Sequence, residues 1–285
     1  MAKAFLLNSP DGFYTMARIT KEENGIIIFH GSIFQCDRLY PKTVRVSSSS
    51  SWYNYVCDQV EAVMKPYHSG FYFITILHVL STTSSKLTFY IEPNNEEDSI
   101  KDKEDDDHVI HQNTTVLLKL HTRCNPEWKH TQWIRERPLY DIKQYSEMII
   151  CSTQDIGSQT IQLNEGCITN VFVLLHDGRI QTCITNVLIG WIQHLLLDII
   201  TINNVKDDNE KMILITSPLV WKDRWNWKYV FLTNIKRKIQ PIHTLVYHQE
   251  NDNDISYWHQ ATPHVMSKCL IQLQNLLLTR IQQEE

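Results

Sequence analysis

The sequence predicts an α+β fold in two domains, and three observations lead there. At 285 residues the chain is longer than one typical domain of about 100–150 residues and suits two modest ones. Strand-like and helix-like stretches are mixed without the strand–helix–strand rhythm of a doubly wound sheet. The pattern changes at Asn125-Pro126, a dipeptide that punctuates chains, so the expected domains are 1–124 and 125–285.

Composition narrows the function classes. Hydrophobic residues make up 42% and charged residues 21%, which allows a buried core and excludes wholesale disorder. Only 8 glycines occur, and neither GxGxxG nor GxxxxGK[ST] is present, so a glycine-rich phosphate loop is not expected. The formal charge is −5, and the stretch Asn94–His108 alone carries eight acids and two lysines. The rest of the chain is left near +1, which argues against a nucleic-acid partner. Seven cysteines are scattered with no CxxC pair, as expected of reduced thiols in a cytoplasmic protein, and no metal site is expected. The N-terminal MAKAFLLNSPDG has too short an apolar run for a signal peptide and lacks the composition of a transit peptide. The most apolar stretch, Val187–Ile200, is broken by Gln193, His194 and Asp198, so no membrane span is expected.

The elements follow in order. Gly25–Phe34 reads as a buried strand with a turn at His30-Gly31, and the run Ser47–Ser51 reads as a loop. Trp52, Val56, Val60 and Val63 stand at helical spacing in Trp52–Met64, and Pro66 ends that helix. Phe71–Leu80, Lys86–Glu92 and Thr115–His121 read as strands, with the acidic tract Asn94–His108 as a solvated loop between the last two. Strands are expected at Met148–Ser152, Val171–Leu175, Ile180–Thr182, Met212–Ser217, Tyr229–Thr233 and Ile242–Val246. His176-Asp177-Gly178 is a hairpin turn, Val187–Ile200 a helix, and Asn203–Lys211 and Gln249–Asp254 are polar loops. Thr262 and Pro263 open a last helix that buries Val265, Met266, Cys269, Leu273, Leu276 and Leu277. In the cluster Trp221, Trp225 and Trp227, packing is the expected role.

One constellation carries chemistry. Glu165-Gly166-Cys167-Ile168-Thr169-Asn170 is followed by Val171-Phe172-Val173, then by Asp177-Gly178, Thr182 and Leu188-Ile189-Gly190. Upstream, Lys129 is followed by Trp133, Arg135 and Arg137, and it precedes Glu165 by 36 residues. This order resembles the class IV aminotransferases, the D-amino-acid and branched-chain transaminases and aminodeoxychorismate lyase. The nearest likeness is to a plant and protist branch with an E-G-C-[IV]-T-N variant. It covers Thr115–Pro241 well and the N-terminal third loosely.

The resemblance implies a D-amino-acid-aminotransferase-like fold, with an N-terminal α/β two-layer domain and a C-terminal pseudo-barrel. It implies pyridoxal 5'-phosphate as cofactor, and transfer of an amino group between an amino acid and a 2-oxo acid. It assigns Lys129 as the amine that holds the cofactor and moves a proton at the substrate's Cα. It assigns Glu165, placed at a strand entry, as the carboxylate that keeps the ring nitrogen protonated. Both would face a crevice between the domains. Thr169 and Asn170 would brace ring and phosphate. The amides of Trp191 and Ile192 after Gly190 would face the phosphate, and Asn234 lies in the late turn. The family is typically homodimeric. The pattern departs from the family at the phosphate cup. Ser47–Tyr55 holds no arginine, a hydroxyl residue has become Ile192, an arginine has become Gln193, and the late turn reads Thr233-Asn234-Ile235. Arg38, Arg45 or Lys236-Arg237-Lys238 are candidate replacements. A cofactor-free scaffold and a lyase with the same cofactor stay open as alternatives.

Overall fold

The computed structural model describes residues 2–30, 36, 39, 49–80, 85–93, 114–123, 125–137, 144–153, 160–202, 213–235, 237–248, 255–260 and 268–284. The chain divides into two compact units. One comprises Met1–Asp107, Trp128–Tyr140 and Glu284–Glu285, the other His108–Glu127 and Asp141–Gln283.

The first unit is built on four antiparallel strands, β1 (Phe13–Lys21), β2 (Ile27–His30), β3 (Gly70–Leu80) and β4 (Ser85–Pro93), in the order β2-β1-β3-β4. Helix α2 (Ser49–Met64) lays Trp52, Val56, Val60 and Met64 on one face of this sheet, against Ala17, Ile19, Ile74 and Ile76. That four-residue spacing is one stripe of a helix. Leu6 of α1 (Ala2–Asn8) and Ile134 of α3 (Thr131–Glu136) pack with Tyr14 and Leu77 in a second cluster. The end of α2 is capped from the sheet. The Lys21 ammonium donates to the carbonyls of Met64, Lys65 and Tyr67 at 3.0, 2.8 and 2.6 Å, which meets orphan acceptors of the last turn.

Among the described residues, the second unit is built on a sheet of eleven strands. Its main path runs β10 (Leu214–Thr216), β9 (Ile180–Thr182), β8 (Asn170–Leu175), β7 (Ile161–Gly166), β6 (Glu147–Thr153), β5 (Thr115–Leu120), β14 (Thr244–His248) and β15 (Ile255–His259). Off this path, β11 (Leu219–Val220) pairs with β7, and β12 (Trp227–Asn234) pairs with β8 and with β13 (Lys238–Ile242). Strands β8 and β12 are buried on both faces. Val171, Val173, Val230 and Leu232 join one core, while Phe172 and Phe231 join another and stack with ring centroids 5.2 Å apart. Helices α4 (Trp191–Ile202) and α5 (Lys268–Glu284) cover this second core with Ile192, Leu195, Leu196, Leu270, Leu273 and Leu277. Burial on both faces explains why Val171–Leu175 reads as an unbroken apolar run rather than an alternating one.

Several expectations are corrected. Ser49–Ser51 belong to α2 rather than to a loop. Helix α4 begins at Trp191, not Val187, because Val187–Gly190 are a bend and irregular backbone, and the Leu188 amide is bonded to Glu165. The expected strand Ile242–Val246 is two strands, since β13 ends at Ile242 and β14 starts at Thr244 on a different neighbour. Glu165 stands near the exit of β7, not at a strand entry. Elements α1, β1, α3, β7 and β15 have no counterpart in the sequence reading. The chain also crosses between units more than once. Residues 128–131 return to the first unit through an isolated Phe13–His130 bridge and two bonds, Tyr14 N to Lys129 O at 2.9 Å and Thr131 N to Gly12 O at 3.0 Å. The turn at Gly31, the loops at 94–108, 203–211 and 249–254, and the cap at Thr262-Pro263 lie outside the described residues.

Candidate functional site

The motif around Glu165 is one hydrogen-bonded assembly in the second unit. Strands β7 and β8 meet at a single register pair, Glu165 with Asn170. The four residues between them turn tightly, closed by Gly166 N donating to Thr169 O at 2.8 Å. Residue 166 must be small, because a Cβ there would stand 2.0 Å from the Thr169 hydroxyl. That hydroxyl donates to Oε2 of Glu147 at 3.3 Å, and Glu147 Oε1 accepts from Met148 N at 2.9 Å.

Glu165 is 3% exposed. Its Oε1 lies 2.5 Å from Arg123 Nη1, and its Oε2 accepts the Leu188 amide at 3.0 Å. Burial pushes its carboxyl up to about 7, while the Arg123 guanidinium and the Leu188 N–H act to lower it. A carboxylate offers about four lone-pair sites, so two bonds leave it able to accept another donor.

Asn170 fixes the entry of α4. Its Nδ2 donates to Leu188 O at 2.7 Å and its Oδ1 accepts Gly190 N at 3.1 Å. Gly190 in turn accepts the first helical bond, from His194 N at 2.8 Å. Strand β12 brings Thr233 opposite Asn170, and the Thr233 Oγ1 is buried without a hydrogen-bond partner.

Of the residues singled out in the sequence, Glu165, Thr169, Asn170, Gly190, Trp191 and Ile192 stand together along this path. Trp191 and Ile192 open α4, with the Ile192 side chain in the core beneath it. Asn234 closes β12, and its Oδ1 accepts Arg237 N at 2.8 Å. Gln193, at the family's arginine position, is turned into the protein. Its Nε2 reaches Thr182 Oγ1 at 3.3 Å and Cys183 O at 3.1 Å. Lys129 belongs to the first unit, where its Nζ lies 5.1 Å from the Tyr14 ring centroid. His130 caps α3 by accepting Gln132 N at 3.2 Å. Trp221 and Trp227 are buried edge to face, while Trp225 is 71% exposed. Arg237 is an exposed hairpin residue, and Arg38, Arg45 and Lys236 lie outside the described residues.

The sequence reading missed Arg123, Glu147 and the Leu188 amide. One signal pointed to Arg123: a charge only three residues beyond the apolar strand Thr115–Leu120, where a buried cation needs a buried acid. Among the described residues, no group of three or more His, Cys, Asp or Glu side chains could hold a metal ion, and no helix is long and apolar enough to cross a membrane.

No protein-family model matches the chain, and no curated protein sequence matches it. Solved structures do match. A hypothetical aminotransferase from Mycobacterium tuberculosis in a PLP-bound form superposes with a TM-score of 0.62 at 9% identity, covering 96% of this chain and 90% of its own. A branched-chain aminotransferase from Thermoproteus uzoniensis, with norvaline, gives 0.64 at 11% identity over 96% and 86%. A fold IV transaminase from Curtobacterium pusillum gives 0.60 at 12% identity over 94% and 86%. On this likeness, this chain has the fold of the class IV aminotransferases.

Proposed function

We propose that the protein is a pyridoxal-phosphate-dependent aminotransferase that moves an amino group between an amino acid and a 2-oxo acid. The observation that carries this reading is Glu165, a buried carboxyl raised to about 7 and oriented by Arg123 and the Leu188 amide. A buried acid with spare acceptor capacity suits a protonated ring nitrogen. The donor set fits the cofactor's anionic end as well. The amides of Trp191 and Ile192 open a 12-residue helix, and Thr233 Oγ1 is a buried hydroxyl lacking a partner. Among the solved neighbours, one form holds PLP, another α-ketoglutarate and PMP, and a third norvaline.

When bound, the cofactor supplies an electron sink for the pair left at the substrate's Cα. This chain's residues supply the rest. Lys129 Nζ would hold the cofactor and move the proton at the substrate's Cα. Glu165 would keep the ring nitrogen protonated, with its carboxyl held in one orientation by Arg123 and the Leu188 N–H. Thr169 and Asn170 fix the turn and the α4 entry, so that the Trp191 and Ile192 amides would face the phosphate, with Asn234 as the late-turn residue of the same cup. In this reading the protein works as a cytoplasmic homodimer.

Absorbance tests the proposal. Purified protein titrated with pyridoxal phosphate is expected to turn yellow, to bleach with borohydride, and then to carry the cofactor on Lys129 by peptide mapping. K129A should lose the covalent link, and E165Q should keep the link but lose turnover with amino donors. Folded protein that takes up no cofactor overturns the reading and favours a cofactor-free scaffold.

A further inference from the structure

The first unit carries a second chemical constellation, made of residues other than the Glu165 assembly and independent of the aminotransferase reading. His78 of β3 is fully buried, at 0% exposure. Its Nδ1 lies 2.7 Å from the carbonyl oxygen of Leu39, and its Nε2 lies 2.5 Å from Ser85 Oγ. A carbonyl oxygen only accepts, so Nδ1 must carry the ring proton. Nε2 then holds a lone pair, and the Ser85 hydroxyl donates to it. Burial holds the His78 pKa below its ordinary value, so the ring is neutral near pH 7. The Trp52 ring, 5.3 Å away centroid to centroid, packs against the imidazole and limits its tilt. Ser85 itself is exposed, at the first position of β4.

We propose that Ser85 is an activated nucleophile, with His78 as its general base and the Leu39 carbonyl as the group that fixes the base's tautomer. The site would take an acyl or phosphonyl electrophile arriving from solvent. The arrangement is that of a nucleophile bonded to a base that is itself oriented by a third group. With an activated ester, the Ser85 Oγ–carbon bond forms, the ester carbon–oxygen bond breaks, and the hydroxyl proton passes to His78 Nε2. The imidazolium formed returns that proton to the leaving alkoxide. The Leu39 oxygen, already bonded to Nδ1, stabilises the transient charge.

A fluorophosphonate probe tests this, since its phosphorus–fluorine bond breaks as the serine oxygen–phosphorus bond forms and fluoride leaves. The native chain is treated and the adduct mapped by mass spectrometry. Ser85 is expected to label well ahead of every other serine, and that lead should vanish in urea. S85A should lose the adduct, and H78Q should slow Ser85 labelling by roughly 100-fold with an unchanged circular dichroism spectrum. Should H78Q fail to fold, the native-against-urea comparison still decides. No adduct on folded Ser85, equal labelling of all exposed serines, or native labelling in folded H78Q would each overturn the assignment and leave His78 as a packing residue.

Discussion

The side chain of Asn170 closes on Gly190, with its Oδ1 accepting the Gly190 amide at 3.1 Å. A Cβ at residue 190 would stand 2.3 Å from that same oxygen, well inside contact distance. The glycine is therefore set by the asparagine, not by its own backbone, and the two should be energetically coupled.

A double-mutant cycle measures that coupling. G190A is expected to cost about 2 kcal/mol in the native background, through overpacking and loss of the Asn170 bond. In the N170A background the obstructing oxygen is gone, and the same substitution should cost under about 1 kcal/mol. Urea denaturation of the four proteins gives the interaction term. Equal costs in both backgrounds would show that Asn170 does not set the glycine.

Glu165 makes stability depend on pH in a stated direction. Its carboxyl sits at about 7 in the folded chain against a usual value of 4.5, so between those values the folded state binds more protons than the unfolded one. Its contribution is full below about pH 4.5 and is lost as pH rises to about 7, by roughly 3 kcal/mol. The cofactor-free protein should thus lose stability across that window relative to E165Q, whose profile should be flatter there. Denaturant midpoints at pH 5 and pH 7.5 check it, and parallel profiles would mean that Arg123 holds the acid ionised throughout.

Lys21 should matter more than a surface lysine ordinarily does. It meets three carbonyls at the end of α2, where the helix carries negative partial charge. K21M keeps the aliphatic stem and removes the donors. It is expected to cost roughly 1–2 kcal/mol and to speed amide exchange in the last turn of α2, while α4 exchanges as before. Uniform exchange in that turn would show that the cap contributes nothing.

The stripe Trp52, Val56, Val60 gave α2 correctly, because burial of one helix face imposes its own period on the chain. The start of α4 was misplaced because Val187 to Ile200 is apolar throughout and hydrophobicity alone does not mark a start. The backbone bond from Leu188 to Glu165 marks it instead, and that bond spans 23 residues. Lys238 shows the same limit. Its positive φ of 55° belongs to the hairpin between β12 and β13, which nothing local in Lys-Arg-Lys announces.

By itself, the sequence determined the α+β class, the paired strand and hairpin around Val171–Leu175, and the ordered set Glu165, Thr169, Asn170 and Gly190. These are short-range features in which neighbouring residues constrain each other's backbone. Only the tertiary structure decided that Arg123 meets Glu165, through parallel pairing of β5 with β6 and antiparallel pairing of β6 with β7. It alone decided that Lys129 returns to the first unit beside Tyr14, and that His78 joins Leu39 to Ser85. One physical reason covers Arg123 with Glu165 and His78 with its two partners. A buried charge or polar ring must find its partner wherever strand register delivers one, and register is fixed by the packing of whole sheets rather than by the residues alongside.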